Sequence, residues 1–436
     1  MTVVQPVVYG GEQDRHPTSD DRDLLAGLDQ VFSLIQANFV ERVAPRILAE
    51  AATSGMLDAA DPTGSLLGKD PFRKLLRQSS EVRNDKDWVK VVSATFVELR
   101  KKDYTKEALQ QVAFGGMQRM IKAVDSDGGI LPANYSPFST PASGGIGVTI
   151  RVCDGIARVT SIADDGPASR AGVRPTDSIT TVDGRSLTGL TAGNVIDLLR
   201  GPRGTDLRVG VRRSGSGEVA DLEIVRNEIR TVSVRPASMI DAHTGYIGLN
   251  NFADGTDRDF GHAISDLAAK GMRRLVLDIR DNAGGPFDQA IRLAMRFLPR
   301  GDLIVSTRGR VRNSDSDYRA TEANPWVELR LAILVNGVTA AGAEVLAAAL
   351  QDNRRAVVVG TQTFGSRSVQ SVYRVAGGSR ISLTTSRWFR PKDTAVPSGG
   401  IAPDILADGP PCGELVIGSA NDRQLQRALE TFKEGR

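Results

Sequence analysis

The chain has 436 residues, 40% hydrophobic and 25% charged, an ordinary composition for a soluble globular protein and enough for two to four domains. Its 55 basic and 52 acidic residues are mixed along the chain, and basic clusters such as "RRLVLDIR" flank strands, so no nucleic-acid face is expected. No apolar run reaches the roughly 18 residues of a membrane span, and two cysteines without C-x-x-C plus three scattered histidines predict neither a metal site nor a cofactor.

The start, "MTVVQPVVYGGEQDRHP", has no basic n-region and no apolar stretch, which predicts a cytosolic chain or one whose signal peptide is already removed. Residues 1–20 read as a flexible arm. Over 21–135 the period is helical: Leu24, Leu25, Leu28, Val31, Phe32, Ile35 and Phe39 form one stripe. Further helices are expected at 47–59, 88–100 and 106–124, with Asp21 and Thr105 as N-caps. "GMLDAADPTGSLL" (55–67) and "RMIKAVDSDGGIL" (119–131) align as a weak internal duplication, each a helix end followed by an Asp-led turn. The apolar stripes suit either internal packing or self-association as a homo-oligomer.

"SPFSTPASGG" (136–145) marks a domain boundary, after which the period changes to two. "GIGVTIRV", "IARVTSI", "DSITTVDG" and "DLRVGVRR" read as strands, with a helix over 191–200, in a domain spanning 144–230. The turn "GGIGV" offers clustered backbone amides for an anion, although it also fits a plain hairpin. From 231 to 436 strands alternate with helices, an α/β pattern with a partly parallel sheet. In "LVLDIRDNAGGPFDQAI", Gly284 and Gly285 fit either a strand-to-helix turn or amides aimed at an oxyanion. "LVNGVTAAGAEVLAAALQDN" (334–353) runs from a strand through a small-residue turn into a helix, yet the turn holds no serine, cysteine or histidine. Whether Cys153 and Cys412 pair stays open.

"GPASRAGV", "DSITTVDG" and "LLRGPRG" resemble a PDZ domain. That resemblance implies a carboxylate-binding loop at Gly145, Ile146, Gly147 and Val148, a pocket against helix 191–200, and protein or peptide C-termini as partners. Arg200 fits either an approach to the peptide carboxylate or an exposed helix end. "LVLDIRDNAGG", "LAILVNGVTAAGAEVLAAALQDNRRAVVVGTQTFGSRSVQ" and "ISLTTSRWFRPKDTAVPSGGIAPDI" look like the carboxyl-terminal processing peptidases, PDZ-containing serine peptidases also called tail-specific proteases. The likeness runs from about 144 to 405 in the family's order. It implies a multidomain α+β fold: a helical N-terminal region, an inserted PDZ domain and an α/β crotonase-like core. It also implies a periplasmic or envelope setting.

Such enzymes cut with a serine activated by a neutral lysine. Aligned on Val335–Asn336 and Glu344, the nucleophile position is Ala341; aligned on Thr363–Phe364–Gly365 and Gln370, the base position is Ser366. The positions lie 25 residues apart (341 to 366), as the family pattern requires. Gln370 and Asp352 match, and Gly342 keeps an oxyanion amide. Both reactive groups are therefore absent, and Thr339 and Arg367 are poor substitutes. Two readings follow. One is an inactive homologue that binds C-termini as scaffold or regulator; the other is an active tail-specific endopeptidase whose serine was replaced by Ala341. The sheet edge beside 381–388 is expected to hold more of the bound polypeptide.

Overall fold

In the computed structural model, the described residues are 19–65, 68–101, 104–131, 143–153, 155–163, 165–190, 192–227, 229, 232–311, 314–376, 379–392, 394–409 and 422–433. The arm expected over 1–20 falls outside them up to residue 18, as does Cys412.

The chain forms two compact units. One contains residues 1–133 with 307–316 and 368–388. Its helices are Ser19–Asn38, Pro45–Ala60, Asp70–Ser80, Asp85–Arg100 and Lys106–Val124. They bury Leu28, Phe32, Met56, Trp88 and Leu109, with Phe32 stacked on Trp88 at 4.4 Å between ring centroids. Thr105 caps its helix by accepting from the Ala108 amide. Asp21, expected as an N-cap, lies within the first helix, which runs from Ser19. The two segments that align in sequence, 55–67 and 119–131, both end a helix at a buried aspartate. Asp61 accepts from Thr63 and Ser65, and Asp125 accepts from Asp127 and from Thr384. Strand Arg380–Phe389 pairs with Gly129–Leu131 and, from Arg380 to Arg387, with Ser368–Arg374. The edge expected to be open at 381–388 is thus occupied within this unit, and two segments read as part of the C-terminal core pack with the helices.

The second unit holds residues 134–306, 317–367 and 389–436. Its first module is an antiparallel sheet in the order Val148–Cys153, Ile156–Ile162, Ser178–Val182, Asp206–Arg212, Val219–Val225. Helix Ala192–Leu199 buries Val195 and Leu199 in that module's core. The second module is a sheet in which Thr244–Gly248, Arg274–Asp278, Arg330–Val335, Ala356–Gly360 and Ile405–Leu406 run parallel, with Ser238–Met239 antiparallel at one edge. The central strands are near-continuous Leu, Ile and Val because helices cover a parallel sheet. The architecture is multidomain α+β, with helices and sheets both prominent.

Candidate functional site

Loops 249–255, 279–286, 336–341 and 361–367 all leave the carboxyl ends of the parallel strands, where open α/β sheets carry their sites. Strand Arg330–Val335 ends, the chain turns, and helix Gly342–Asp352 begins, with Ala341 as its N-cap residue. Ala341 has φ 48° and ψ −118°. A residue with a Cβ rarely adopts that backbone, and it persists only where the surroundings dictate it.

Those surroundings are specific. The buried Glu344 carboxylate accepts the Ala341 amide at 3.0 Å, and also the Gly365 amide at 2.7 Å, the Ser366 amide at 2.8 Å and the Thr363 hydroxyl. Ala341 and Ser366 donate to the same oxygen, Oε2. One buried side chain therefore joins the two turns that carry the expected nucleophile and base positions. Glu344 served the sequence reading only as an alignment anchor; its full burial next to two glycine-rich turns was not legible there.

Gly284 sits against Ala341. A Cβ on Gly284 would lie 2.7 Å from the Ala341 Cβ and 3.0 Å from the Gly342 nitrogen. Gly285, at φ 143°, lies so close to the Phe252 carbonyl that a Cβ there would fall 2.0 Å from its oxygen. Of the three oxyanion candidates, Gly284 is withdrawn, because its amide donates to the Asn282 side chain at 2.8 Å. Gly285 and Gly342 keep the expectation; a Cβ on Gly342 would lie 3.5 Å from the Gly285 carbonyl oxygen.

Asp281 and Asn336 exchange hydrogen bonds of 2.8 and 3.1 Å, and the Ala340 amide donates to the Asn282 carbonyl at 2.9 Å. The glycine loop and the turn before Ala341 are thereby zipped together. Arg151, on the edge strand of the antiparallel module, reaches the same Asp281 at 2.9 Å.

Beneath the loop lies a buried charge network. Arg280 donates to Asp278, Asp422 and Gln424, and the Tyr246 hydroxyl donates to Asp278 at 2.6 Å. Burial alone pushes the Asp278 carboxyl up, but Arg280, Arg235 and Tyr246 outweigh it and hold the group below its usual range. Burial and the Asp278 carboxylate push the Tyr246 hydroxyl up against the pull of Arg235 and Arg280, whereas at Arg280 burial works downward and is outweighed by Asp278 and Asp422, which hold the guanidinium above its ordinary value.

Among the other expected residues, Asp352 does not belong to this cleft. It ends the 11-residue helix that begins beside Ala341, about 15 Å away along the axis. Its carboxylate is held there by Arg390 at 2.6 and 2.9 Å. Gln370 lies on strand Ser368–Arg374 opposite Thr384, in the helical unit. Thr339 is buried and spent, donating to the Ile279 carbonyl at 3.0 Å and accepting from the Asn336 amide.

In the antiparallel module, Gly145 and Asn227 exchange amide–carbonyl bonds of 2.8 and 3.0 Å. The Gly145 amide is therefore used, which leaves Ile146, Gly147 and Val148 as carboxylate donors. Gly147 has φ 79°, and a Cβ there would press on Ala163 at 3.2 Å. Arg200 is exposed, just past the end of helix Ala192–Leu199.

Residues 243–407 match peptidase family S41, and residues 158–213 match the PDZ domain. The carboxy-terminal-processing protease of Bartonella bacilliformis is 36% identical over 61% of this chain. The match spans 62% of that relative, less than two thirds of its length. The carboxy-terminal processing protease CtpA of Bacillus subtilis is 28% identical over 78% of this chain and 73% of its own. Among solved structures, a photosystem II D1 C-terminal processing protease shares the fold, with a TM-score of 0.57, 22% identity and coverage of 94% of this chain and 97% of that one.

Proposed function

We propose that this chain, whose two domain matches and curated relatives support membership of the carboxyl-terminal processing protease family, grips polypeptide C-termini without cutting them. It would then act as a scaffold or regulator. The observation that carries the reading is Ala341 in a strained cap beside Gly284 and Gly342, with Ser366 tied to it through Glu344. The chemistry of the two side chains follows directly. A methyl group has no lone pair with which to attack a carbonyl. A serine hydroxyl is no proton acceptor near neutral pH, and Arg367 beside it stays charged. Losing the nucleophile alone typically costs about 10⁶ in kcat.

The features kept are those that hold a chain. Strand Val148–Cys153 forms one edge of its sheet, ready to add an extended peptide by main-chain hydrogen bonds. Ile146, Val195 and Leu199 supply apolar walls.

The second reading, an endopeptidase deprived of its serine, accounts for Ala341 and leaves Ser366 unexplained. Ala341→Ser alone and Ala341→Ser with Ser366→Lys separate the two, assayed on an unfolded, C-terminally tagged protein. Cleavage by the single variant supports the second reading. Silence of the single variant, with or without activity in the double one, supports the first.

A further inference from the structure

We propose that Arg226 sets the sign of the charge at the closed end of the PDZ groove, so that the groove takes a free peptide C-terminus and not an internal segment. This rests on the peptide-binding reading above and deepens it.

Helix Ala192–Leu199 forms one wall of the groove and ends at the level of the carboxylate loop, since Gly201–Pro202 beyond it pairs with Ser143–Gly144 before the loop. A helix C-terminus presents unpaired carbonyls equivalent to about half a negative charge. Left bare, that end would oppose an arriving carboxylate.

Arg226 occupies this place. It directly precedes Asn227, which holds Gly145 by two backbone bonds, so its backbone is rooted at the carboxylate loop. Its guanidinium crosses to the helix end, donating from Nε to the Leu199 carbonyl at 3.0 Å and from Nη2 to the Leu198 carbonyl at 3.1 Å. Nη1 donates to the Thr205 hydroxyl at 3.0 Å and the Asp206 carbonyl at 3.3 Å. The residue is 9% exposed, and its hydrogen-bond partners among the described residues are neutral oxygens, so its full charge outweighs the roughly half charge of the helix end without a carboxylate among those partners. Two glycines make the crossing possible. A Cβ on Gly201 would stand 2.9 Å from the guanidinium carbon, and one on Gly144 would stand 3.1 Å from the Arg226 Cβ. A buried cation keeps its field where an exposed one is screened. Arg200 and Arg203, the exposed arginines nearby in sequence, are the weaker sources. Arg226 is thus a positioning residue for the Ile146, Gly147 and Val148 amides, which would touch the carboxylate themselves.

The test uses the full chain and fluorescein-labelled decapeptides ending in Ala-Ala-Val or Ala-Ala-Leu, each made as free acid and as amide. The unaltered chain is expected to prefer the acid by about tenfold or more, the scale of one charge-assisted interaction. Arg226→Met is expected to abolish that preference while the amide still binds, and Arg226→Lys to keep most of it. The exposed pair Arg200→Met/Arg203→Met is expected to leave the preference within about twofold. A merely structural Arg226 would weaken acid and amide alike and leave their ratio unchanged, which would overturn the proposal. Loss of the ratio in the exposed pair would overturn it too, even if Arg226→Met fails to fold. Equal binding of acid and amide by the unaltered chain would refute this inference and spare peptide binding; binding of neither would remove both.

Discussion

Ala341 holds a backbone that costs a residue with a Cβ about 1–3 kcal/mol, although its methyl group can do nothing with the resulting exposure. Glycine enters that region freely but loses about 0.5–1 kcal/mol more entropy on folding. Ala341→Gly is therefore expected to stabilise the protein slightly, by about 1 kcal/mol, read as a higher midpoint in calorimetry. A clear fall would mean that the turn is not strained. Glu344 has the opposite character. Its carboxylate accepts four donors, two on each oxygen, and an amide in its place would turn an NH₂ toward two of them. Glu344→Gln is expected to cost about 1–3 kcal/mol in denaturant unfolding, the penalty of an unsatisfied buried group. Neither result was foreseeable from "TAAGAE" alone, because the second turn that Glu344 gathers lies about twenty residues downstream.

Elements were legible where their pattern was strong. "AVVVG" became strand Ala356–Gly360 without adjustment, and Thr105 caps as its position before an apolar-periodic run suggests. Helix Asp70–Ser80 was missed because its inward face is only Phe72, Leu75 and Ser79 amid charge. Strands Ser368–Arg374 and Leu303–Gly309 were missed because polar residues alternate through the first and the second closes on Ser, Thr, Arg and Gly. The helices Pro45–Ala60 and Lys106–Val124 approach so closely that a Cβ on Gly115 would stand 2.6 Å from the Gly55 carbonyl oxygen. Gly115→Ala is expected to cost about 1–3 kcal/mol by overpacking, measured by chemical denaturation. In the sheet module, the depressed Asp278 makes stability depend on pH in one direction. Its contribution is full above the unfolded-state value of about 3.9 and disappears as pH falls through the lower folded value. Acid titration of the unfolding midpoint should show that loss below about pH 4. Asp278→Asn should flatten it, at a cost of about 3–5 kcal/mol for leaving buried Arg280 under-compensated.

At the scale of the whole molecule, the order of modules was readable because glycine-rich turns and changes of period punctuate it. The ion pair from Arg151 to Asp281 was not, since 130 residues separate them. It ties strand Val148–Cys153 to the loop beside Ala341, and that loop is in turn zipped to the turn holding Asn336. Around the cleft the turns are held by backbone and carboxylate bonds, and the positions aligned with a nucleophile and a base hold Ala341 and Ser366. The most direct test is to incubate the unaltered, purified chain with an unfolded protein bearing an apolar free C-terminus, following complex formation by anisotropy and the polypeptide by intact mass. A stable complex with the polypeptide's mass unchanged over hours is the expected result. Fragments that accumulate in proportion to the chain's concentration would show that the cleft still breaks amide bonds.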